Sequence, residues 1–281
     1  MNILLTGAAG FTGSYFRQLA ESAGHTVVPF AADLRDPVAT QAAVIAASCD
    51  AVVHLGAISF VGHADSAAFY AVNVVGTTNL LQAIVNKDQT PKKILIASSA
   101  NIYGNCQQSP ISETQQPTPA NHYAASKVAM EHMVQTFADK LPVLITRPFN
   151  YTGIGQSEKF VIPKLIRCFV SKSAQIELGN IDVQREFNDV RMVCYSYLKL
   201  LDQGQSGEIY NICTGIPYTL KQVIGMLEDV TKHRPNIHTN PAFVRHNEVH
   251  QLTGNPSKLI RCIGSLPNTQ LHETLRWMLN H

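Results

Sequence analysis

The sequence is poor in charged residues and carries no cluster of one sign. Only 15% of its 281 residues are Asp, Glu, Lys or Arg, against 45% hydrophobic residues, and the formal net charge is +2. Without a basic run, the chain lacks the electrostatic footprint of a nucleic-acid-binding protein. The composition is typical of a soluble globular protein, and the length is enough to bury a large core.

Signals for metals, disulfides and membranes are also lacking. The six cysteines form no C-x-x-C pair, and the eleven histidines form no HExxH pattern, which argues against a zinc site and a disulfide framework. We find no apolar run of about 20 residues and no basic segment before the apolar start, so neither a membrane span nor a signal peptide is predicted. We therefore expect a cytoplasmic protein with reduced thiols and no metal.

What the chain does have begins with its opening stretch, MNILLTGAAGFTG. The apolar run Asn2–Leu5 predicts a buried strand, and a helix is predicted from Phe11 to about Ala23. Between them stand Gly7, Gly10 and Gly13, spaced to allow a tight turn, a close backbone approach and close helix packing. A strand, a glycine turn and a helix N-terminus together predict a cradle for the diphosphate of a dinucleotide.

Strands and helices then alternate, which predicts an α/β fold with a doubly wound, Rossmann-type parallel sheet. We expect this sheet within residues 1–150 and a smaller substrate-binding lobe, interleaved with it, within residues 151–281. The predicted strands are Thr26–Phe30, Ala51–Leu55, Lys93–Ser98, Val143–Thr146, Gln175–Leu178 and Glu208–Ile212. The predicted helices are Pro37–Ser48, Asp65–Asn86, His122–Asp139, Phe160–Val170, Asp189–Leu201, Thr219–Thr231, Pro256–Ile263 and Thr269–Leu279, with a loop at Tyr151–Gln156.

One pair of side chains has the spacing of an acid–base site. Tyr123 and Lys127 are four residues apart on a predicted helix and therefore share a face. An ammonium near a tyrosine favours the phenolate and lowers its pKa, which would make Tyr123 a usable general acid or base. Ser99 follows a predicted strand, where its hydroxyl can bond a carbonyl oxygen at the ligand-binding edge of the sheet.

Six motifs in order, GAAGFTG, HLGA, NVVGTTNLL, SSANIYG, YAASK and RPFN, resemble the nucleotide-sugar branch of the extended short-chain dehydrogenases/reductases. The resemblance implies a nicotinamide cofactor and a catalytic triad of Ser99, Tyr123 and Lys127. It also implies that Lys127 holds the nicotinamide ribose and that Asn73 supports the lysine from behind. The cofactor contacts that it implies are Gly7, Gly10, Phe11, Thr12, Gly13, Asp33, Leu34, Leu55, Gly56, Ala57, Asn73, Tyr123 and Lys127.

The second half of the chain resembles the GDP-mannose dehydratases and, more closely, the reductases of GDP-4-keto-6-deoxymannose. That resemblance implies that Asn150 and Arg185 hold the substrate diphosphate. Arg245 and Glu248 would contact a phosphate and a ribose, and Arg offers the planar, bidentate donors that phosphate prefers. It further implies a homodimer joined through the helices Asp65–Asn86 and His122–Asp139.

Two departures from the family pattern narrow the expected reaction. The dehydratases carry an acidic residue just after the catalytic hydroxyl residue, where this chain has Ala100 and Asn101, neither of which can exchange a proton usefully. No acidic residue that would bind a ribose 2′-hydroxyl follows the second strand, where the chain has Phe30 and two alanines. With Arg35 nearby, NADP is favoured over NAD without excluding it.

These observations predict an NAD(P)H-dependent reductase. It would reduce the C4 ketone of a GDP-4-keto-6-deoxyhexose to GDP-rhamnose or GDP-6-deoxytalose. One alternative is an NAD-dependent nucleotide-sugar 4-epimerase, which would retain its cofactor without net consumption. A non-catalytic dinucleotide-binding protein is a further alternative, which the intact Tyr–Lys pair disfavours.

Overall fold

The centre of the fold is a six-stranded, all-parallel sheet. A computed structural model of the chain describes residues 1–243 and 249–281. The strands are β1 (Asn2–Thr6), β2 (Thr26–Pro29), β3 (Ala51–His54), β4 (Lys93–Ala97), β5 (Val143–Pro148), β6 (Tyr151–Thr152), β7 (Gln175–Leu178), β8 (Gln184–Arg185), β9 (Asn188–Asp189), β10 (Ile209–Ile212), β11 (Tyr218–Thr219), β12 (Asn236–Thr239) and β13 (Gln251–Leu252). The main sheet has the order β10-β5-β4-β3-β1-β2.

Helices cover both faces of this sheet. They are α1 (Phe11–Ser22), α2 (Pro37–Ala46), α3 (Ser66–Tyr70), α4 (Thr77–Val85), α5 (His122–Gln135), α6 (Val161–Val170), α7 (Val190–Gln203), α8 (Leu220–Thr231), α9 (Ser257–Ile263) and α10 (Leu271–Leu279). On one face α1, α7 and α9 pack over residues such as Ile3 and Val53, and on the other α2, α4 and α5 pack over Leu4 and Val52. The prediction of a doubly wound parallel sheet is confirmed.

A smaller lobe follows the main sheet in the chain. Its core lies between α6, α8 and α10 and the strand pair β7–β12. A three-stranded sheet, β11-β8-β13, and the pair β6–β9 lie in the same half of the chain. Strand β10 leaves this half and joins the main sheet beside β5. The division near residue 150 stays a prediction.

The structure differs from the predicted elements at Asp65–Asn86, at His122–Asp139 and at Tyr151–Gln156, and it adds the short strands β8, β9, β11, β12 and β13. The predicted helix Asp65–Asn86 is interrupted by a π-helical segment, Ala71–Gly76, a wide turn of the kind often found at functional sites. The helix predicted to reach Asp139 ends at Gln135. The predicted loop at Tyr151 begins with β6, because its backbone pairs with β9, a partner that local sequence cannot reveal.

The helical stretch Ser66–Val85 is the longest apolar helical segment that the structure describes as able to span a membrane. By length and composition it could cross a membrane, since its mean hydropathy is 1.3, but 44% of it is buried inside the protein. It also includes the polar and fully buried side chain of Asn73. The apolar character of this stretch therefore matches a helix that packs against the rest of the chain, because buried core helices can be as long and as apolar as membrane-spanning helices.

Candidate active site

Four strands of the main sheet end at one cavity of about 410 Å³. Residues following β1, β3, β4 and β5 form its wall, where the strand order reverses and ligands of such sheets bind. The predicted site residues that line it are Gly7, Gly10, Phe11, Thr12, Gly13, Leu55, Gly56, Ala57, Ser99, Tyr123, Lys127 and Asn150. The structure thus brings the predicted cradle and the predicted triad to one place.

The glycine turn after β1 leaves no room for side chains. Gly7 has φ +70°, and a Cβ there would lie 2.9 Å from the backbone nitrogen of Gly56. A Cβ on Gly13 would lie 2.1 Å from the carbonyl oxygen of Gly7. Helix α1 begins after Gly10 with no side-chain cap and no acidic residue in its first turn. Its first N–H groups are therefore suited to an anion, and this donor set fits the diphosphate of a dinucleotide.

Gly13→Ala should weaken dinucleotide binding at least about 10-fold, because the new methyl group forces α1 away from β1, and overpacking of this kind costs about 1–3 kcal/mol. Calorimetric titration with NADPH measures the loss. Gly225→Ala is the matched control, since a Cβ at Gly225 meets nothing within 4 Å. An unchanged affinity in Gly13→Ala would contradict the assignment of this turn as the diphosphate cradle.

Ser99, Tyr123 and Lys127 converge at the floor of the cavity. Each is at most 6% exposed. Tyr123 lies in the first turn of α5, whose start is fixed by the Asn121 side chain accepting the Ala124 N–H at 2.9 Å. Ser99 follows β4, lines the same cavity as Tyr123, and its hydroxyl lowers the pKa of the Tyr123 phenol. The Lys127 ammonium donates to the carbonyl oxygen of Ala97, the last residue of β4, at 2.8 Å.

The electrostatics of the pair differ from the sequence-based expectation. Burial raises the pKa of Tyr123, and the hydrogen bond from Ser99 opposes that rise. Burial also lowers the pKa of Lys127 to about 8, against the opposing charge of Glu131. The expectation that Lys127 lowers the pKa of Tyr123 was wrong for this state, because desolvation dominates and the ammonium is bound to the Ala97 carbonyl. Tyr123 is therefore protonated at neutral pH and suited to act as a proton donor.

Asn73 supports α5 through a neighbour of the lysine. Its Oδ1 accepts the Ile58 N–H at 3.0 Å, and its Nδ2 donates to Ser126 Oγ at 3.0 Å. Ser126 Oγ in turn donates to the carbonyl oxygen of Tyr123 at 2.7 Å. In the described structure Asn73 therefore holds α5, the helix that carries both Tyr123 and Lys127, and its expected support of the lysine from behind stays a prediction.

A buried histidine extends this network to the glycine cradle. Thr77 Oγ1 donates to the Asn73 carbonyl at 2.7 Å, so it must accept from His54 Nε2 at 2.9 Å. His54 Nδ1 is then an acceptor for Thr6 Oγ1 at 2.7 Å, and the same hydroxyl accepts the Gly56 N–H. Burial favours the neutral imidazole, and in that form the bonding pattern places its proton on Nε2.

His54 should make the stability of the protein pH-dependent. Burial lowers its pKa to about 3, with the charge of Lys127 adding to the effect, whereas an unfolded histidine has a pKa of about 6.5. The folded state binds this proton more weakly, so its stabilisation is complete above about pH 6.5 and is lost as the pH falls towards 3. We expect the free energy of unfolding to fall by up to about 1.4 kcal/mol per pH unit in that window.

Denaturant unfolding between pH 4 and 8 measures this slope. His54→Gln removes the titrating group and should flatten the slope, whereas His272→Gln, at an exposed position of α10, should leave it unchanged. Equal slopes in the wild type and His54→Gln would show that His54 does not contribute.

The remaining predicted residues that the structure describes lie outside the cavity lining. Leu34 is buried beside Gly56, with its Cδ1 3.1 Å from where a Cβ on that glycine would lie. Asp33 is exposed and binds Arg35 through a 2.6 Å ion pair, which holds the pKa of the carboxyl at about 2. Arg185 lies on β8, where its guanidinium donates to the carbonyl oxygens of Gln184 and Val249. The predicted substrate ligands Arg245 and Glu248 lie outside the described residues.

Several cavity residues escaped the sequence analysis. Tyr151 bonds Thr12 Oγ1 at 2.7 Å and stacks on Phe11 with 6.1 Å between ring centroids. Its position directly after the RPFN motif was the one available signal, since it continues from the end of β5. Further lining residues have no local signature, because they come from loops or from helix α7 at positions distant in sequence: Ser59, Gln156, Ser157, Phe160 and Tyr197.

The titratable side chains in this lining are few in kind. The described lining residues include Tyr123, Tyr151, Tyr197 and Lys127 but no Asp, Glu, His or Cys. Across residues 1–243 and 249–281, no group of three or more His, Cys, Asp or Glu side chains is arranged to hold a metal ion. The described lining can therefore donate a proton from a tyrosine but offers no carboxylate base.

Comparisons with known proteins identify the family of the chain. The family model described as GDP-mannose 4,6 dehydratase matches residues 29–278. The chain is 38% identical to GDP-6-deoxy-D-talose 4-dehydrogenase of Aggregatibacter actinomycetemcomitans, covering 94% of this chain and 92% of that protein. It is 33% identical to GDP-6-deoxy-D-mannose reductase of Pseudomonas aeruginosa, with 99% and 96% covered.

A solved structure supports the same placement. RMD from Pseudomonas aeruginosa, complexed with NADPH, matches with a TM-score of 0.92 and 31% identity, covering 99% of this chain and 97% of that one. The resemblance drawn from the six sequence motifs is therefore confirmed. With a family model spanning most of its length, the chain belongs to the GDP-mannose 4,6-dehydratase family of extended short-chain dehydrogenases/reductases.

Proposed function

We propose that this protein is an NAD(P)H-dependent reductase of a GDP-linked 4-keto-6-deoxyhexose. The product is the corresponding GDP-6-deoxyhexose, either GDP-rhamnose or GDP-6-deoxytalose. The names of the two relatives, a GDP-6-deoxy-D-talose 4-dehydrogenase and a GDP-6-deoxy-D-mannose reductase, support both the GDP-linked substrate and chemistry at C4.

The observation that carries the proposal is the cavity lining. A 4,6-dehydratase must remove a proton from C5 and expel the hydroxyl on C6, which takes an acid–base residue besides the tyrosine. The positions after Ser99 are Ala100 and Asn101, and the described lining has no carboxylate or imidazole. Reduction of a ketone needs one proton donor, which Tyr123 provides. The site is therefore equipped for reduction and not for elimination, despite the family's name.

The residues of the chain divide the work as follows. The turn of Gly7, Gly10 and Gly13 holds the cofactor diphosphate, and the bound nicotinamide supplies hydride to C4. Tyr123 gives its phenolic proton to the C4 oxygen, and the Ser99 hydroxyl orients the phenol for this transfer. Lys127, whose ammonium donates to the Ala97 carbonyl, lines the same cavity, and its lowered pKa of about 8 makes its proton easier to release than that of an exposed lysine. Hydride and proton together convert the ketone to a secondary alcohol.

Arg35 is the cation that favours NADPH over NADH in this proposal. It is 60% exposed and paired with Asp33 after β2, the region that holds the adenosine ribose in folds of this class. Arg35→Ala should raise KM for NADPH about 10-fold and leave KM for NADH unchanged, because only NADPH carries the 2′-phosphate. Initial-rate kinetics with both cofactors measures the ratio. A parallel change for both cofactors would contradict the assignment.

We further propose a cytoplasmic homodimer that acts on small molecules and binds neither nucleic acid nor membranes. The dimer would form through the surfaces of α3, α4 and α5, where Val75 is 50% exposed and where Tyr70 bonds His122 at the surface. A net charge of +2 supports the absence of nucleic-acid binding. Light scattering on the purified protein tests the dimer.

The function is tested by mixing purified protein with GDP-4-keto-6-deoxymannose and NADPH. The proposal expects consumption of one NADPH per sugar and a GDP-6-deoxyhexose whose configuration at C4 identifies the product. An epimerase would interconvert nucleotide sugars with no net consumption, and a non-catalytic protein would bind NADPH without turnover. Either result would overturn the proposal.

A further inference from the structure

The Ser99 hydroxyl accepts hydrogen bonds from Asn101, a residue that has no role in the reduction as proposed. Ser99 has extended backbone and caps the 3-10 helix Ala100–Tyr103. Its Oγ accepts the Asn101 backbone N–H at 3.2 Å and the Asn101 side-chain Nδ2–H at 3.1 Å. Asn101 also lines the cavity. Both donors to the catalytic serine thus come from one residue.

Counting hydrogens fixes the direction of the serine proton. A hydroxyl oxygen has two lone pairs and one hydrogen. The two Asn101 donors occupy both lone pairs of Ser99 Oγ, so its hydrogen is left for an acceptor on the opposite side. Tyr123 is the acceptor we assign to this hydrogen, because both side chains line the same cavity and the Ser99 hydroxyl lowers the pKa of the Tyr123 phenol. With Ser99 donating to the tyrosine oxygen, the phenolic hydrogen of Tyr123 is free to point to the substrate.

The turn that carries Asn101 is rigid, so this arrangement is built into the fold. Ile102 and Tyr103 are fully buried, and Thr118 closes the turn by bonding the carbonyl oxygens of both. The turn ends at Gly104, where φ is +56° and a Cβ would lie 1.9 Å from the Thr118 carbonyl oxygen. The backbone of Asn101 is therefore held beside Ser99, and its side-chain amide is within hydrogen-bond distance of the serine hydroxyl.

We propose that Asn101 is a positioning residue that directs the Ser99 hydroxyl proton toward Tyr123, so that the phenolic hydrogen of Tyr123 points to the substrate oxygen. An ionised carboxylate at this position could only accept a hydrogen bond, so it would draw the serine proton away from the reacting atoms. The amide thus has two consequences: it removes the acid that elimination needs, and it orders the proton donors for reduction. This inference rests on the proposed reductase function.

The kinetic test uses Asn101→Asp, Asn101→Ala and Ser99→Ala with the ketosugar and NADPH. Asp keeps the shape of the side chain but cannot donate, so both Asn101 variants should lower kcat about 10-fold with little change in KM. In the Ser99→Ala background the same Asn101 substitutions should change kcat by less than about 2-fold, because their target is gone. Full activity in Asn101→Asp, or equal losses in both backgrounds, would overturn the proposal.

A second readout does not need turnover. Loss of the bond from Ser99 should raise the pKa of Tyr123, since that bond lowers it in the wild type. Fluorine NMR of protein labelled with 3-fluorotyrosine, with the Tyr123 signal assigned through Tyr123→Phe, follows this titration. The pKa should move up in Asn101→Ala and Ser99→Ala alike, and an unmoved pKa in Asn101→Ala would overturn the proposal. If the wild type fails to reduce the ketosugar, the proposed function fails while this titration still decides the role of Asn101.

Discussion

Replacing Tyr123 by Phe should lower kcat for ketone reduction by about 10²–10⁴-fold, the range that a positioned general acid contributes. The other cavity groups are poorly placed to substitute for it. Tyr151 is bonded to Thr12 and Lys127 to the Ala97 carbonyl, and Tyr197 is only 1% exposed. The loss should fall on kcat, because the phenyl ring keeps the packing of Tyr123 against Phe69.

Steady-state kinetics and NADPH titration measure this prediction separately. NADPH affinity and the unfolding transition of Tyr123→Phe should match those of the wild type. Tyr195→Phe, on α7 and outside the described cavity lining, is the matched control for removal of a tyrosine hydroxyl. If Tyr123→Phe retained more than a tenth of the wild-type kcat, Tyr123 would not be the proton donor.

Replacing Arg147 by Met should cost about 3–5 kcal/mol of the free energy of unfolding, because it leaves a buried carboxylate without a partner. Arg147 and Glu131 are each 5% exposed and joined at 2.6 Å. The same guanidinium donates to Tyr103 Oη at 2.9 Å and to the Glu113 carbonyl oxygen at 3.1 Å. Such a loss is a large part of the roughly 5–15 kcal/mol that stabilises a typical domain.

Urea unfolding measures the loss in the free energy of unfolding, and two further variants serve as its controls. Arg147→Met combined with Glu131→Leu removes both charges and should recover most of the loss. Arg17→Met breaks the exposed pair with Glu21, whose side chains are 50% and 44% exposed, and should cost under about 1 kcal/mol. Equal costs for Arg147→Met and Arg17→Met would contradict the importance of burial.

The Arg147–Glu131 pair also connects stability with the active site. Glu131 lies one turn after Lys127 on α5 and its charge raises the pKa of the lysine, against the stronger effect of burial. Tyr103, another partner of Arg147, is the last residue of the 3-10 helix that carries Asn101. The buried pair thus supports both the helix of Tyr123 and the turn of Ser99 from behind.

Local patterns predicted those parts of the site that depend on short-range geometry. The spacing of Gly7, Gly10 and Gly13 encodes a turn that the backbone needs for its own close packing, as the 2.1 Å approach at Gly13 shows. The four-residue spacing of Tyr123 and Lys127 reflects one turn of a helix. Both patterns could be recognised because each is confined to a few consecutive residues.

Features set by distant contacts could not be predicted in this way. The sequence indicated that Lys127 would act on Tyr123, but its partner is a carbonyl oxygen of β4, thirty residues away. The sequence showed that Asn101 stands where the dehydratases carry an acidic residue. Its bond to Ser99 could not be predicted, because that bond depends on a 3-10 turn held by Thr118. The motif resemblance implied that Arg185 holds the substrate diphosphate, but in the described structure Arg185 lies outside the cavity lining.

The most direct test of the reductase assignment is transfer of deuterium from NADPH deuterated at its reactive carbon. The purified protein is incubated with GDP-4-keto-6-deoxymannose, and the product sugar is examined by NMR and mass spectrometry. The account predicts one deuterium at C4 for each NADPH consumed, with transfer reduced at least about 10²-fold in Tyr123→Phe. A sugar product without deuterium, formed while the NADPH remains unconsumed, would contradict it.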